Sequence, residues 1–446
     1  MNKTSKVKGA LEILAVIGLI LVIPLFFVIK TRANPQVVQN TAAPAAPTAA
    51  QNISSPPAIT AQRPPACTFP LAQTTTAETT PENYTFSEPQ VVLNDSYNLV
   101  EWLPDNQQLL MTELSDQTEM GKPQIETIEL YNSATGEIKV YATRTYTEGL
   151  PAWQPELNAV VYSAMNFMGY DKKTYHPIFT RQLWISYGDP DTTQMLADNM
   201  SQFPIAIKPN GSEMFYLADK KIAKLDKSLK KPSSALFDPA QWDYGKGRRN
   251  QEPIFYEMAW QPNTPLVFLY SNGGGLEMGG YTFIMDANTG KVCELDFGGW
   301  ASKALWSSDG RYLAIIRATY TFPVNVLDMA VLDTVTGELH TMEVLPPTVE
   351  FKRYVNNFVW APDNRHLLAV GTASSQNNQN NGDSYGLFEL YLVDFMTGQS
   401  VSILPEYSGF FTPNLAWSSD GTKLAVNCPT IEAGRLCLIS VHTSGN

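Results

Sequence analysis

Charge is scarce in this chain. Only 17% of its 446 residues are Asp, Glu, Lys or Arg, against about 25% in ordinary globular domains. Basic residues are the scarcer sign, 31 against 43 acidic ones, for a net charge of -12. A surface this poor in Lys and Arg is ill suited to neutralising a phosphate backbone, so the expected partners include no nucleic acid. Histidine is nearly absent: His176, His340, His366 and His442 lie far apart in the chain, and no His-Glu-x-x-His occurs. Gly-x-Ser-x-Gly is missing too, which removes the hydrolase elbow and its oxyanion hole. The glycine-rich stretch from Ser271 to Gly280 runs into a strand-like segment, where a phosphate cradle needs a helix N-terminus. The composition points to no metal and no cofactor.

Long apolar runs are equally rare, with one exception. Ala10 to Ile29 is interrupted only by Glu12 and Pro24, with Lys3, Lys6 and Lys8 before it and Lys30 and Arg32 after it. At about 1.5 Å per residue such a helix crosses a hydrocarbon core of about 30 Å. Its length and the lack of a small-residue cleavage site favour a retained anchor over a cleaved signal peptide. Ala, Pro, Thr, Gln and Ser then dominate as far as Asn83, a composition that cannot bury enough apolar surface to offset chain entropy. The expected division is a cytoplasmic N-terminus at 1–9, a transmembrane helix at 10–29, a disordered linker at 30–83 and a folded domain at 84–446. The positive-inside bias and the linker together place that domain outside the cytoplasm, on a single-pass cell-membrane protein.

The folded part repeats. The pattern apolar, x, Trp, x, Pro or Ser, Asp or Asn, then an apolar run centres on Trp102, Trp153, Ile207, Trp260, Trp306, Trp360 and Trp417, at intervals of 51, 54, 53, 46, 54 and 57 residues. A second turn follows in several copies, as in Asp286 to Gly290, Asp333 to Gly337 and Asp394 to Gly398. In both turns an Asx side chain caps its own backbone and Gly takes the positive φ. Four short strands per repeat of about 52 residues describe a propeller blade, and seven copies describe a seven-bladed β-propeller of four-stranded antiparallel blades. The last copy lacks its fourth strand, and Phe86 to Leu93 has the composition to supply it and so close the ring. The residues at the tryptophan position are read as packing between blades.

These turns resemble the PD40, WD40-like repeats of TolB-type propellers of bacterial envelopes and of prolyl oligopeptidase relatives. The resemblance covers about Phe86 to Val441 and implies a fold more than a function. TolB itself has six blades and a further N-terminal domain, so this chain departs from it.

Strand direction alternates within a blade, which puts the short Asp, Asn, Pro and Gly turns on one face and the long aromatic loops on the other. Loops on a rigid scaffold are where binding residues concentrate. The selected binding residues are Tyr146, Trp242, Trp300, Tyr354, Tyr407 and Phe410, all in connections that pass over the channel mouth, with the basic pair Arg248 and Arg249 beside them. Cys428 and Cys437 fall on neighbouring strands of one hairpin and are expected to form a disulfide. Cys67 and Cys293 carry no such argument. The function these features favour is a non-catalytic binding module of the cell envelope, holding an envelope protein or glycan on the aromatic face. The alternative is an envelope enzyme, for example a glycan-processing one, with acids converging on the channel.

Overall fold

The computed structural model describes residues 64–71 and most of 83–444. Outside the described residues lie 1–63, 72–82, 96, 115–124, 146–148, 173–176, 190–191, 202–203, 220, 227, 230–235, 238–253, 273–280, 298–299, 322–323, 343–350, 376–385, 410–413, 429–434 and 445–446. The expected anchor at 10–29 therefore falls outside them. Among the described residues no helix is long and apolar enough to cross a membrane.

Every regular element described is a β-strand, and the fold is all-β and propeller-like. Four sheets are four-stranded antiparallel meanders. The first holds Tyr97–Trp102, Gln108–Leu114, Ile125–Asn132 and Ile138–Thr145. The others begin at Ile254–Trp260, Trp300–Trp306 and Phe351–Trp360 and end at Val292–Leu295, Leu339–Met342 and Gln399–Gly409. A fifth sheet has seven strands. In it a four-stranded meander, Ala152–Gln154 to Gln194–Met200, joins a three-stranded one, Ala206–Ile207 to Lys221–Asp226, through the single pair Met200↔Ala218. The sixth holds the three C-terminal strands Leu415–Trp417, Lys423–Cys428 and Arg435–Ser444. Its outer edge comes from the other end of the domain: Asn83–Phe86 pairs with Arg435–Ser444 from Asn83↔Ser444 to Phe86↔Val441, and Gln90–Leu93 continues along the same strand.

The innermost strands, those that carry the repeat tryptophans or Ile207, each touch the next in chain order, and Leu415–Trp417 touches Tyr97–Trp102. Buried apolar side chains form seven clusters among the described residues, each made by two consecutive repeats. Burial at about 25 cal/mol per Å² makes these interfaces the main source of cohesion, since among the described residues no helix backs the sheets. The indole N–H groups add direction. Trp102 donates to Ala416 O at 2.9 Å, Trp306 to Ala259 O at 3.0 Å and Trp360 to Leu305 O at 2.9 Å, each acceptor preceding the tryptophan of the neighbouring repeat. Trp260 instead bonds Thr264 O of its own turn, and its ring stacks on Phe215 with centroids 4.6 Å apart.

Turn chemistry recurs with the repeat. The first turn places one residue at positive φ in each copy: Asn106, Asn158, Gly211, Asn263, Gly310, Asn364 and Gly421, the residue types that tolerate it best. The amide oxygen of Asn364 receives the backbone and hydroxyl of Ser308 at 2.7 and 2.8 Å, and Asn106 receives those of Ser419 at 2.9 Å each. A turn residue thus also ties neighbouring sheets together. In the second turn, Asp286 Oδ1 accepts from the backbone of Asn288 at 2.7 Å, and Gly290 N closes onto Asp286 O at 2.8 Å. Asp333 and Asp394 build the same turn.

Residues 64–71, which the composition assigns to the linker, lie as a strap on the outer edge of two sheets. Cys67 N donates to Glu294 O at 2.9 Å, Glu294 N to Pro65 O at 2.8 Å and Leu71 N to Thr334 O at 2.9 Å. A Cys67–Cys293 disulfide, Cα atoms 4.8 Å apart, fastens it. The ring of Phe69 sits where a side chain on Gly337 would be, 2.6 Å from an ideal Cβ.

Candidate functional site

The sheets converge on their inner strands, and there the regular ladder is interrupted. Register shifts fall between Leu99 and Glu101, Phe255 and Glu257, Ala301 and Lys303, and Val355 and Asn357. A bulge bends its strand and re-aims the side chain beside it. In all four strands the residue just past the shift is polar, in segments that otherwise bury Leu99, Met258, Ala304 and Phe358.

Lys303 and Asn357 join Asn414 and Asn98 in a belt across consecutive inner strands. The Lys303 ammonium donates to Asn357 Oδ1, Asn357 Nδ2 reaches Asn414 Oδ1 at 3.4 Å, and Asn414 Nδ2 reaches Asn98 Oδ1 at 3.3 Å. Asn427 supports it from behind, accepting from Asn414 N at 3.1 Å and donating to Tyr97 O at 2.6 Å. On the other side of Lys303 stands Glu257. Burial pushes its carboxyl up to about 7, against the opposing pull of the Lys303 charge. Burial also pulls the Lys303 amine down to about 8, with Glu257 acting the other way. Among the described residues no ion pair or hydrogen bond joins the two, and they act on each other through their charges. Glu101 accepts from Trp153 N at 2.8 Å. Perturbed groups gathered on neighbouring inner strands mark a functional-site candidate.

A second feature stands on the loop face. Strands Ala159–Tyr170 and Pro177–Ser186 are 12 and 10 residues long, and their hairpin carries Phe167, Met168, Tyr170 and Ile178 exposed at 45%, 64%, 57% and 45%. The register shifts between Phe167 and Gly169, where Gly169 takes φ +116°. The rings of Phe167 and Tyr170 meet at 5.1 Å and those of Phe167 and Phe179 at 5.7 Å. The aromatic tip is therefore held as a unit.

Of the residues selected from sequence, Tyr146, Trp242, Arg248, Arg249 and Phe410 lie outside the described residues. Trp300, Tyr354 and Tyr407 lie in strands Trp300–Trp306, Phe351–Trp360 and Gln399–Gly409, with side chains outside the description. Cys428 and Cys437 form a disulfide with Cα atoms 5.6 Å apart, and the pairing is diagonal, since Cys428 faces Arg435 and Cys437 faces Val426 in register. The belt residues Asn98, Glu257, Lys303, Asn357 and Asn414 were not selected. A signal for them was present, because Glu257, Lys303, Asn357 and Asn414 each stand three positions before a repeat tryptophan. Among the described residues no cluster of three His, Cys, Asp or Glu could hold a metal ion.

No family model and no curated protein matches this chain. Solved structures that resemble it include the WD40 repeats of RRP9, 10% identical over 81% of this chain and 100% of that one, with a TM-score of 0.48. Kuenenia stuttgartiensis hydrazine synthase is 11% identical over 76% of each chain, with a TM-score of 0.38. An oligogalacturonate lyase in complex with manganese is 11% identical over 78% of this chain and 99% of that one, with a TM-score of 0.34. Likenesses this distant carry no argument about activity, and the functional reading rests on the chain's own geometry.

Proposed function

We propose that this chain is a membrane-anchored, extracytoplasmic, seven-bladed propeller of the TolB-like, PD40 type, working as a non-catalytic binding module of the cell envelope. The count of seven treats the seven-stranded sheet as two blades, a reading supported by its single-pair joint and by the seven positive-φ turn residues. The anchor rests on the apolar run Ala10 to Ile29. The observation that carries the binding role is the exposed Phe167, Met168, Tyr170 and Ile178 tip, in which apolar side chains that could have turned inward stand in water. Aromatic and methionine side chains on a preformed hairpin suit recognition of an envelope protein, because little conformational entropy remains to be lost. Tyr146, Trp242, Arg248, Arg249, Trp300, Tyr354, Tyr407 and Phe410 extend this face in the same proposal.

The test is crosslinking of the full-length protein in its native membrane, comparing the natural chain with Phe167→Ser, Tyr170→Ser and Trp242→Ala. Loss of one crosslinked species, with unchanged unfolding, supports the reading; undiminished capture by all three variants, together with loss on changing Asp309 or Asp420 of the turn face, overturns it. A hot spot is expected to cost about 2 kcal/mol or more.

The enzyme reading has one observation in its favour, the Glu257 and Lys303 pair, whose proton affinities burial moves toward neutrality from opposite sides. A glycan-cleaving activity abolished by Glu257→Gln would move the conclusion to that reading.

A further inference from the structure

We infer that the axial belt is a second binding site, independent of the loop face, and that its ligand is an uncharged, hydroxyl-rich molecule such as a neutral sugar. Glu257 offers acceptors and Lys303 offers donors, and among the described residues nothing bridges them. A hydroxyl group suits such a pair, because it donates its proton to the carboxylate while its oxygen accepts from the ammonium. Neither a bare anion nor a bare cation can satisfy both walls. Beyond Lys303, the side-chain amides of Asn357, Asn414 and Asn98 continue the same mixture of donors and acceptors along successive inner strands, so a chain of hydroxyls would meet a chain of amides.

Charge supports the choice of a neutral ligand. The two ionisable groups of this arc have opposite sign, and burial opposes the charged form of both. An ionic ligand would leave one uncompensated charge in a place that already disfavours charge. Construction supports the existence of a site. Packing between sheets needs only apolar residues at these positions, yet polar ones follow the register shift in four of the inner strands. Half-buried polar side chains on strands that could pack with apolar ones cost stability, and proteins keep such costs where a ligand is to be met.

The experiment compares three molecules with one ring and three charges: glucose, glucosamine and glucuronate. Saturation-transfer NMR on the full-length protein in lipid nanodiscs reports binding of each. Glucose is expected to bind and both charged analogues to bind less. Glu257→Gln leaves the arc positive and should raise glucuronate above glucose, whereas Lys303→Met leaves it negative and should raise glucosamine. Losing the Lys303 donor should weaken glucose by about tenfold, the usual scale for a hydrogen bond to a charged group. Unfolding curves check each variant, and should Lys303→Met not fold, the glucuronate response of Glu257→Gln decides alone. Absence of binding by all three sugars, preference of the natural protein for a charged one, or a ranking that neither substitution changes overturns the inference. A failed loop-face crosslink would leave this result untouched, so the two proposals fail separately.

Discussion

Glu129 offers a quantitative test of how these sheets handle charge. It lies in strand Ile125–Asn132, only 6% exposed, and its Oε2 has no hydrogen-bond partner. Burial, reinforced by Glu113 and Asp95, pushes its carboxyl up to about 7 from an ordinary 4.5. A folded-state value above the unfolded one means that the protonated form is favoured by folding. The corresponding stability is fully present below about pH 4.5 and is lost as pH rises through about 7. At about 1.4 kcal/mol per unit, the ionised group costs about 3 kcal/mol at pH 8. Glu129→Gln removes the charge while keeping the shape. Urea unfolding followed by tryptophan fluorescence should find the variant close to the natural protein at pH 4.5 and about 3 kcal/mol more stable at pH 8. Glu113→Gln, which removes only a neighbouring charge, should recover part of that gain. A stability difference that is the same at both pH values would refute the reasoning, because only a titrating group produces a gap that grows between them.

The other expectations follow from the same geometry. Replacing Cys67 and Cys293 by Ser releases a closure 226 residues long, against 9 for Cys428 and Cys437; chain entropy then predicts losses of about 5 and about 3 kcal/mol, read by unfolding with and without reductant. Gly337→Ala places a Cβ against Phe69 at φ +80° and should destabilise the protein by about 1 kcal/mol or more, with Phe69→Ala restoring the steric part. Arg144 binds Glu126 at 2.5 Å and donates to Ser163 O and Gly149 O at 2.7 Å, all buried. Arg144→Met should therefore cost about 3–5 kcal/mol by leaving Glu126 uncompensated, while a double replacement that also makes Glu126→Leu should recover much of it.

Much of the architecture is legible in the chain because it is local. The Asp-x-x-Thr-Gly turns follow from an Asx side chain capping its own backbone and a glycine at φ near +75°, events contained within five residues. The spacing of the tryptophans sets the repeat, and the missing last strand pointed to the N-terminal segment that pairs with Arg435–Ser444. A hairpin of two strands likewise brought Cys428 near Cys437, although the diagonal register needed the structure. What the sequence could not decide is whatever depends on contacts between distant repeats. Cys67 finds Cys293 only because a proline-rich strap, which composition assigns to an extended linker, aligns with a sheet edge more than two hundred residues away. The polar belt has the same origin. Glu257, Lys303, Asn357 and Asn414 read in sequence as ordinary polar residues in or beside half-buried strands, each in a different repeat. They become one site because closing the ring brings the inner strands side by side and a bulge turns Glu257, Lys303 and Asn357, and no pattern within a single repeat contains that closure.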